Sequence, residues 1–172
     1  MRASSSSPEI AGSEAQRARI LGIDYGRGRI GLALADAHTA LAVPLETLER
    51  INRNEDMRRL REIVRAHGVK QIVVGLPLRL DGTRGEMAEE AARFAERVRK
   101  QFGVPVEMVD ERLTSWEAER LLEEQSGRIS RKTTERGEKK KKNVEGKNSV
   151  DAVAAAVILK EYLEQQAAKE SI

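Results

Sequence analysis

The chain has 172 residues, of which 40% are hydrophobic and 34% charged, with a formal net charge of +3 and no cysteine. That length supports one domain with a sizeable core, and the absence of cysteine excludes a disulfide framework and thiolate chemistry. No apolar stretch is long enough to span a membrane, so no membrane contact is expected, and the composition fits a cytoplasmic protein.

Residues 1–18 include the run Ser4-Ser5-Ser6-Ser7 and lack the apolar core of a signal peptide, so they read as a disordered leader. Ile20 to Asp24 is a short apolar run ending in a carboxylate. Gly26 and Gly28 follow, and then an alternating run in which Ile30, Leu32 and Leu34 face one way. The pattern predicts a β-hairpin with a Gly-rich turn. Leu41 to Leu48 reads as a third strand, with Pro44 marking an edge or bulge. Asn52 or Asn54 caps a helix with apolar positions Met57, Leu60, Ile63 and Val64, stopped by Gly68. Val69 to Gly75 reads as a buried strand of a parallel sheet. A loop through Gly85 leads to a helix with the stripe Met87, Ala91, Phe94, Ala95 and Val98, ended by Gly103. Val104 to Val109 is a further strand, closing on Asp110 and Glu111. Thr114-Ser115-Trp116-Glu117 forms a capping box for a third helix that buries Ala118, Leu121 and Leu122. Ser149 caps a last helix rich in Val150, Val153, Ala154, Val157 and Ile158.

The charge is unevenly distributed. Arg128 to Lys147 holds nine Lys or Arg against three Glu, a local balance of +6, which leaves the rest of the chain at −3. Residues 126–147 are therefore expected to form a flexible basic loop, either a contact for a polyanion or a solvated segment without a partner. Residues 19–165 are read as the folded domain and 166–172 as a C-terminal tail. The element order predicts an α/β fold: a mixed sheet, antiparallel at its hairpin start and parallel beyond, with helices on both faces. Ligands gather beyond the carboxyl ends of parallel strands in such sheets, and this topology places the strand ends bearing Asp24 and Glu111 side by side.

Burying an ionised carboxylate costs several kcal/mol unless a partner charge or metal compensates it. Asp24 at the end of an apolar strand is either an acceptor for turn N–H groups or part of a site. Asp151, in the first turn of the last helix, either stabilises the helix dipole or joins that site. The neighbouring Ala152, Ala154, Ala155 and Ala156 favour a close approach of this helix end to the sheet. Three converging carboxylates repel one another, and Mg²⁺ or Mn²⁺ suits an all-oxygen set. Two such ions clamp the attacking and leaving oxygens in phosphodiester cleavage. Arg27 and Arg29 near Asp24 are candidates for a backbone phosphate or plain surface residues. Tyr25 and Trp116 are candidates for stacking on a base or for core packing.

Gly22-Ile23-Asp24-Tyr25-Gly26, Arg29-Ile30-Gly31, Gly75-Leu76-Pro77 with Asp81-Gly82, Asp110-Glu111-Arg112-Leu113-Thr114-Ser115 and Asp151-Ala152-Val153-Ala154-Ala155 together resemble the YqgF (RuvX) family. They fall in the family's order and cover roughly residues 19–163. The resemblance implies a ribonuclease H-like fold and a nuclease, described both as maturing the 5′ end of pre-16S rRNA and as a Holliday junction resolvase. It implies Asp24, Glu111 and Asp151 as the acidic triad, catalytic and metal-binding, with Glu111 preferred over Asp110. Lys139, Lys140, Lys141 and Lys142 match the family's basic cluster and are expected, with Arg27 and Arg29, to bind nucleic acid. The expected partner is a structured RNA precursor or branched DNA, and the expected state a monomer or weak homodimer. A non-catalytic nucleic-acid-binding module is the alternative from another class. A sugar-kinase or actin-like ATPase would need two such domains, which 172 residues do not supply.

Overall fold

The computed structural model describes residues 18–39, 41–113 and 150–172. Five strands form one sheet: β1 (Arg19–Tyr25), β2 (Arg29–Asp36), β3 (Ala42–Glu49), β4 (Val69–Leu76) and β5 (Val106–Asp110). Their order is β3-β2-β1-β4-β5. The β1/β2 and β2/β3 pairs are antiparallel, while β1/β4 and β4/β5 are parallel. The expected mixed sheet is therefore present, with β1 at its centre. β3 is an edge strand, and its register against β2 shifts where Ala33 meets Pro44. Pro44 thus lies on an edge and at a bulge, the two places where a missing N–H is tolerated.

Helices α1 (Arg53–Ala66) and α2 (Glu86–Phe102) cover one face, and α3 (Val150–Glu170) covers the other. Asn52 caps α1, its side chain accepting from the Glu55 N–H at 3.0 Å, an arrangement worth about 1 kcal/mol. Gly103 ends α2 in the left-handed region, at φ 63°, which glycine enters without steric penalty.

Strand alternation sorts the core into two clusters. Leu21, Ile23, Ile30, Leu32, Ile72 and Val74 face α1 and α2, meeting Met57, Leu60, Phe94 and Val98. Ile20, Ala33, Ala35 and Val73 face α3, meeting Ala155, Ile158 and Leu159. Leu34 lies with Ile30 and Leu32 as expected, although only partly buried.

Several local expectations shift. Ala88 is buried in α2, whereas Met87 is only half-buried. Val150 is exposed and Ala154 half-buried, while Ala152, Ala155, Ala156 and Leu159 carry the packing of α3. β5 starts at Val106, because Pro105 has no N–H to give a sheet ladder. The segment read as a tail continues as the mostly exposed last turns of α3 through Glu170. Most of the leader, the capping box with Trp116, its helix, the basic loop and Ser149 lie outside the described residues. No helix among the described residues is long and apolar enough to cross a membrane.

Candidate active site

Asp24 is the penultimate residue of β1, opposite Gly31 of β2. Alternation puts its side chain on the α3 face, since its neighbours Ile23 and Tyr25 belong to the opposite cluster. Glu111 opens a 3₁₀ turn, Glu111–Leu113, immediately after β5. The two acids do not end adjacent strands, because β4 runs between β1 and β5. They meet across Gly75 of β4. A Cβ on Gly75 would lie 1.9 Å from Glu111 Oε1 and 2.7 Å from Ile158 Cδ1, so only a bare backbone leaves room for this carboxylate.

Asp151 arrives from the other side. A Cβ on Gly31 would fall 1.9 Å from the Asp151 carbonyl oxygen, and one on Gly22 would fall 2.9 Å from the Ala155 carbonyl oxygen and from Leu159 Cβ. Glycines on three adjacent strands thus let α3 rest almost on the sheet backbone, with its acidic first turn over the end of β1. These glycines were missed as functional positions. Their signal was a glycine inside each strand-borne motif: Gly22 before Asp24, Gly31 after Arg29, and Gly75 ahead of Leu76-Pro77.

Burial first, and then the charge of Asp151, raises the Asp24 carboxyl to about 6. Burial, followed by Asp24 and then Asp110, raises Glu111 to about 8. Asp24 is therefore the centre of the constellation, coupled to an acid on each side. Asp110 behaves differently: Arg112 grips it through Nε at 2.8 Å, Nη2 at 2.6 Å and its backbone N–H at 3.0 Å. Its carboxyl is held below the ordinary range, chiefly by that side-chain bonding. Of the two neighbouring acids, Glu111 is coupled to Asp24 and Asp110 is paired with Arg112.

The expected convergence of all three acids is partial. Among the described residues, no three Asp, Glu, His or Cys side chains sit close enough together to hold one ion. Asp151 pairs with Arg29, Oδ2 to Nε at 3.0 Å. Arg27 is also engaged, with Nη2 2.8 Å from Glu90 Oε1 and 3.2 Å from Glu86 Oε2 on α2. Tyr25 packs in the core against Phe94, with ring centroids 4.7 Å apart, and its hydroxyl accepts from Arg50 Nη1 at 2.8 Å. A stacking role for Tyr25 is thereby replaced by core packing. Lys139 to Lys142 lie outside the described residues.

Arg50 was also missed. It bonds buried Asp56 at 3.0 Å and reaches the carbonyls of Gly26 and Arg27, both at 3.3 Å. It thereby staples the β1–β2 turn, which starts just after Asp24, to β3 and α1.

The donor chemistry is that of hard-cation sites: carboxylate oxygens only, crowded and partly buried. Comparison with known proteins identifies the family. A family model described as "RuvX: Holliday junction resolvase" matches residues 18–165. A protein of Koribacter versatilis (strain Ellin345), named "Putative pre-16S rRNA nuclease", is 40% identical over 148 residues, covering 86% of this chain and 88% of that protein. One of the same name from Anaeromyxobacter sp. (strain K) is 44% identical over 149 residues, covering 87% and 98%. Among solved structures, Thermus thermophilus RuvC in complex with a Holliday junction substrate shares the fold, with a TM-score of 0.50 at 16% identity, covering 87% of this chain and 96% of that one. The chain belongs to the RuvX (YqgF) family of nucleases, with the mixed-sheet fold shared by RuvC.

Proposed function

We propose that this chain is a divalent-metal-dependent nuclease that hydrolyses phosphodiester bonds in 5′-end maturation of pre-16S rRNA. The observation that carries the reading is the placement of Asp24. It sits at the carboxyl end of the central strand, between Glu111 and Asp151, in a chain of this nuclease family. The residues fit Mg²⁺ or Mn²⁺: all donors are carboxylate oxygens, and burial with mutual repulsion raises Asp24 and Glu111, a strain that cationic charge relieves. When bound, such ions would lower the pKa of water so that hydroxide is available to attack phosphorus, and would supply charge to stabilise the leaving oxygen. Asp24, Glu111 and Asp151 are the residues that would hold such ions. Glu111 lies over the bare backbone of Gly75, on the strand next to that of Asp24. Arg29, mostly in solvent beside Asp151, positions a backbone phosphate. Arg27 is secondary in this role because Glu86 and Glu90 hold it, and Lys139 to Lys142 add positive charge shortly before Asp151 in sequence.

The test uses an RNA spanning the 5′ end of 16S rRNA and, in parallel, a four-way DNA junction, each with and without Mg²⁺ or Mn²⁺. Cleavage of the RNA only with the ion is expected, and preferential cleavage of the junction redirects the reading to resolution of branched DNA. Asp24→Asn keeps the size of the side chain and removes its charge. It should lower cleavage ~10²-fold or more, the scale on which losing one preorganised electrostatic group acts, with thermal stability unchanged or raised. Cleavage by this variant at the wild-type rate removes Asp24 from the mechanism.

A further inference from the structure

Arg29 opens β2 two residues before Gly31, so both lie on the face covered by α3. Because Gly31 brings the backbone of Asp151 against the sheet, the Arg29 side chain meets the Asp151 carboxylate directly, Nε to Oδ2 at 3.0 Å. Gly31 is paired with Asp24 across the β1/β2 ladder, so Asp151 seats beside that acid at the end of β1. Asp151 therefore stands between a cation of the protein and the acid at the centre of the site. Its pairing with Arg29 accompanies the lack of a three-acid cluster among the described residues. The guanidinium is not buried by this pairing: the Arg29 side chain is 63% exposed, against 24% for Asp151. An Arg–Asp pair whose arginine lies in solvent is weak and readily exchanged.

We propose that Arg29 is a displaceable counterion, holding Asp151 in the metal-free protein and passing to a backbone phosphate of the substrate once Asp151 turns to a divalent cation. The inference rests on the nuclease reading above and assigns the order in which its parts engage. The physical basis is charge. Asp151 neutralised by a divalent cation no longer attracts Arg29, and the cation repels the guanidinium. A long, largely solvated side chain rooted beside the site then finds its next anion in the phosphate backbone, which a guanidinium grips through two parallel N–H bonds. Ion binding and nucleic-acid binding become linked through one residue, and the linkage is reciprocal.

Three measurements on the full chain test this. In calorimetric titration with Mn²⁺ alone, Arg29→Gln, an exposed substitution with little bearing on folding, should bind the ion about 2- to 5-fold more tightly than wild type, the range set by an exposed ion pair. Unchanged or weaker Mn²⁺ binding overturns the proposal. In the wild-type protein, the NMR signal of the Arg29 Nε–H should shift and exchange faster with water as Mg²⁺ saturates the site. A signal indifferent to saturating Mg²⁺ overturns it too, and assigns any calorimetric gain to the mere loss of a nearby positive charge. With a phosphorothioate oligonucleotide, Arg29→Gln should flatten the slope of log K against log salt by ~0.7 when Mg²⁺ is present and leave it unchanged when Mg²⁺ is absent. Equal flattening in both conditions makes Arg29 a constant phosphate contact and overturns the exchange. A wild-type protein that binds neither Mn²⁺ nor Mg²⁺ defeats the nuclease reading and this proposal together. Normal ion binding with an inert Arg29 defeats this proposal alone.

Discussion

The two faces of the sheet are made by alternate residues of the same strands, yet they do opposite work. Toward α1 and α2, β1, β2 and β4 present Leu21, Ile23, Ile30, Leu32, Ile72 and Val74, all buried in one cluster with Leu60 and Phe94. Toward α3, the same strands present Gly22, Gly31, Ala33 and Gly75, and the helix answers with Ala152, Ala155 and Ala156. Each glycine there forgoes the roughly 1.5–3 kcal/mol that a buried Val or Leu supplies. In return, a helix backbone comes within a methyl group's distance of the sheet, and Asp151 reaches the end of β1. Large side chains hold helices at a distance and stabilise the domain. Small ones remove that distance and assemble the acids.

If the faces divide the work in this way, substitutions on each should fail differently. Leu32→Ala, on the fully buried face, should lose about 2–5 kcal/mol of stability, while turnover by the folded fraction stays within about twofold of wild type. Denaturant unfolding with active-site-normalised kinetics reads both. Gly31→Ala should show the reverse pattern. Its Cβ has no room, with the Asp151 carbonyl oxygen at 1.9 Å and its carbon at 2.3 Å, and both are backbone atoms that move only with α3. A stability loss of about 1–3 kcal/mol is expected from the overpacking. Turnover should fall on the order of 10²-fold, the effect of a catalytic group misplaced by about 1 Å. Equal losses of turnover in the two variants would dissolve the distinction between the faces.

Much of this was legible in the chain. The alternation of Ile30, Leu32 and Leu34, the capping Asn52 and the terminating Gly103 each act through local geometry, and local geometry is what sequence encodes most directly. Asp24, Glu111 and Asp151 were picked out because each closes or opens an element, where side chains escape the core. What was not legible depends on strand order. That β4 separates β1 from β5, and that Gly75 therefore decides how Glu111 meets Asp24, follows from a crossover whose partner no residue announces. The pairing of Arg29 with Asp151 spans most of the chain and depends on how closely α3 seats. Arg27 had the same apparent claim on a phosphate, and only the position of α2 shows that Glu86 and Glu90 hold it.

The pH dependence of stability sharpens the contrast with the smallest expected effect. Burial and neighbouring charge put Glu111 at about 8 and Asp24 at about 6 in the folded protein, whereas both titrate near their ordinary values of roughly 4 when unfolded. Between those limits the folded state binds more protons than the unfolded one, so stability falls as pH rises through the window. The stabilisation is complete below about pH 4, begins to fade above that, and is spent above about pH 8. The two acids face each other and titrate as a coupled set, so the decline should be gradual across that range. In chelator-treated protein, the urea midpoint should drop from pH 5 to pH 8. Glu111→Gln, which keeps a neutral side chain over Gly75, should flatten the upper part of that decline and be the more stable protein at pH 8. Saturating Mg²⁺ should act in the opposite sense, stabilising wild type more as pH rises, because only the ionised carboxylates hold the ion. Leu32→Ala should lower the whole curve without changing its shape, since Leu32 packs with Ile23, Ile30 and Leu60 on the face opposite Asp24. Parallel curves for wild type and Glu111→Gln would mean that Glu111 titrates alike in the folded and unfolded chains, and Glu111 would then store no electrostatic strain for a cation to relieve.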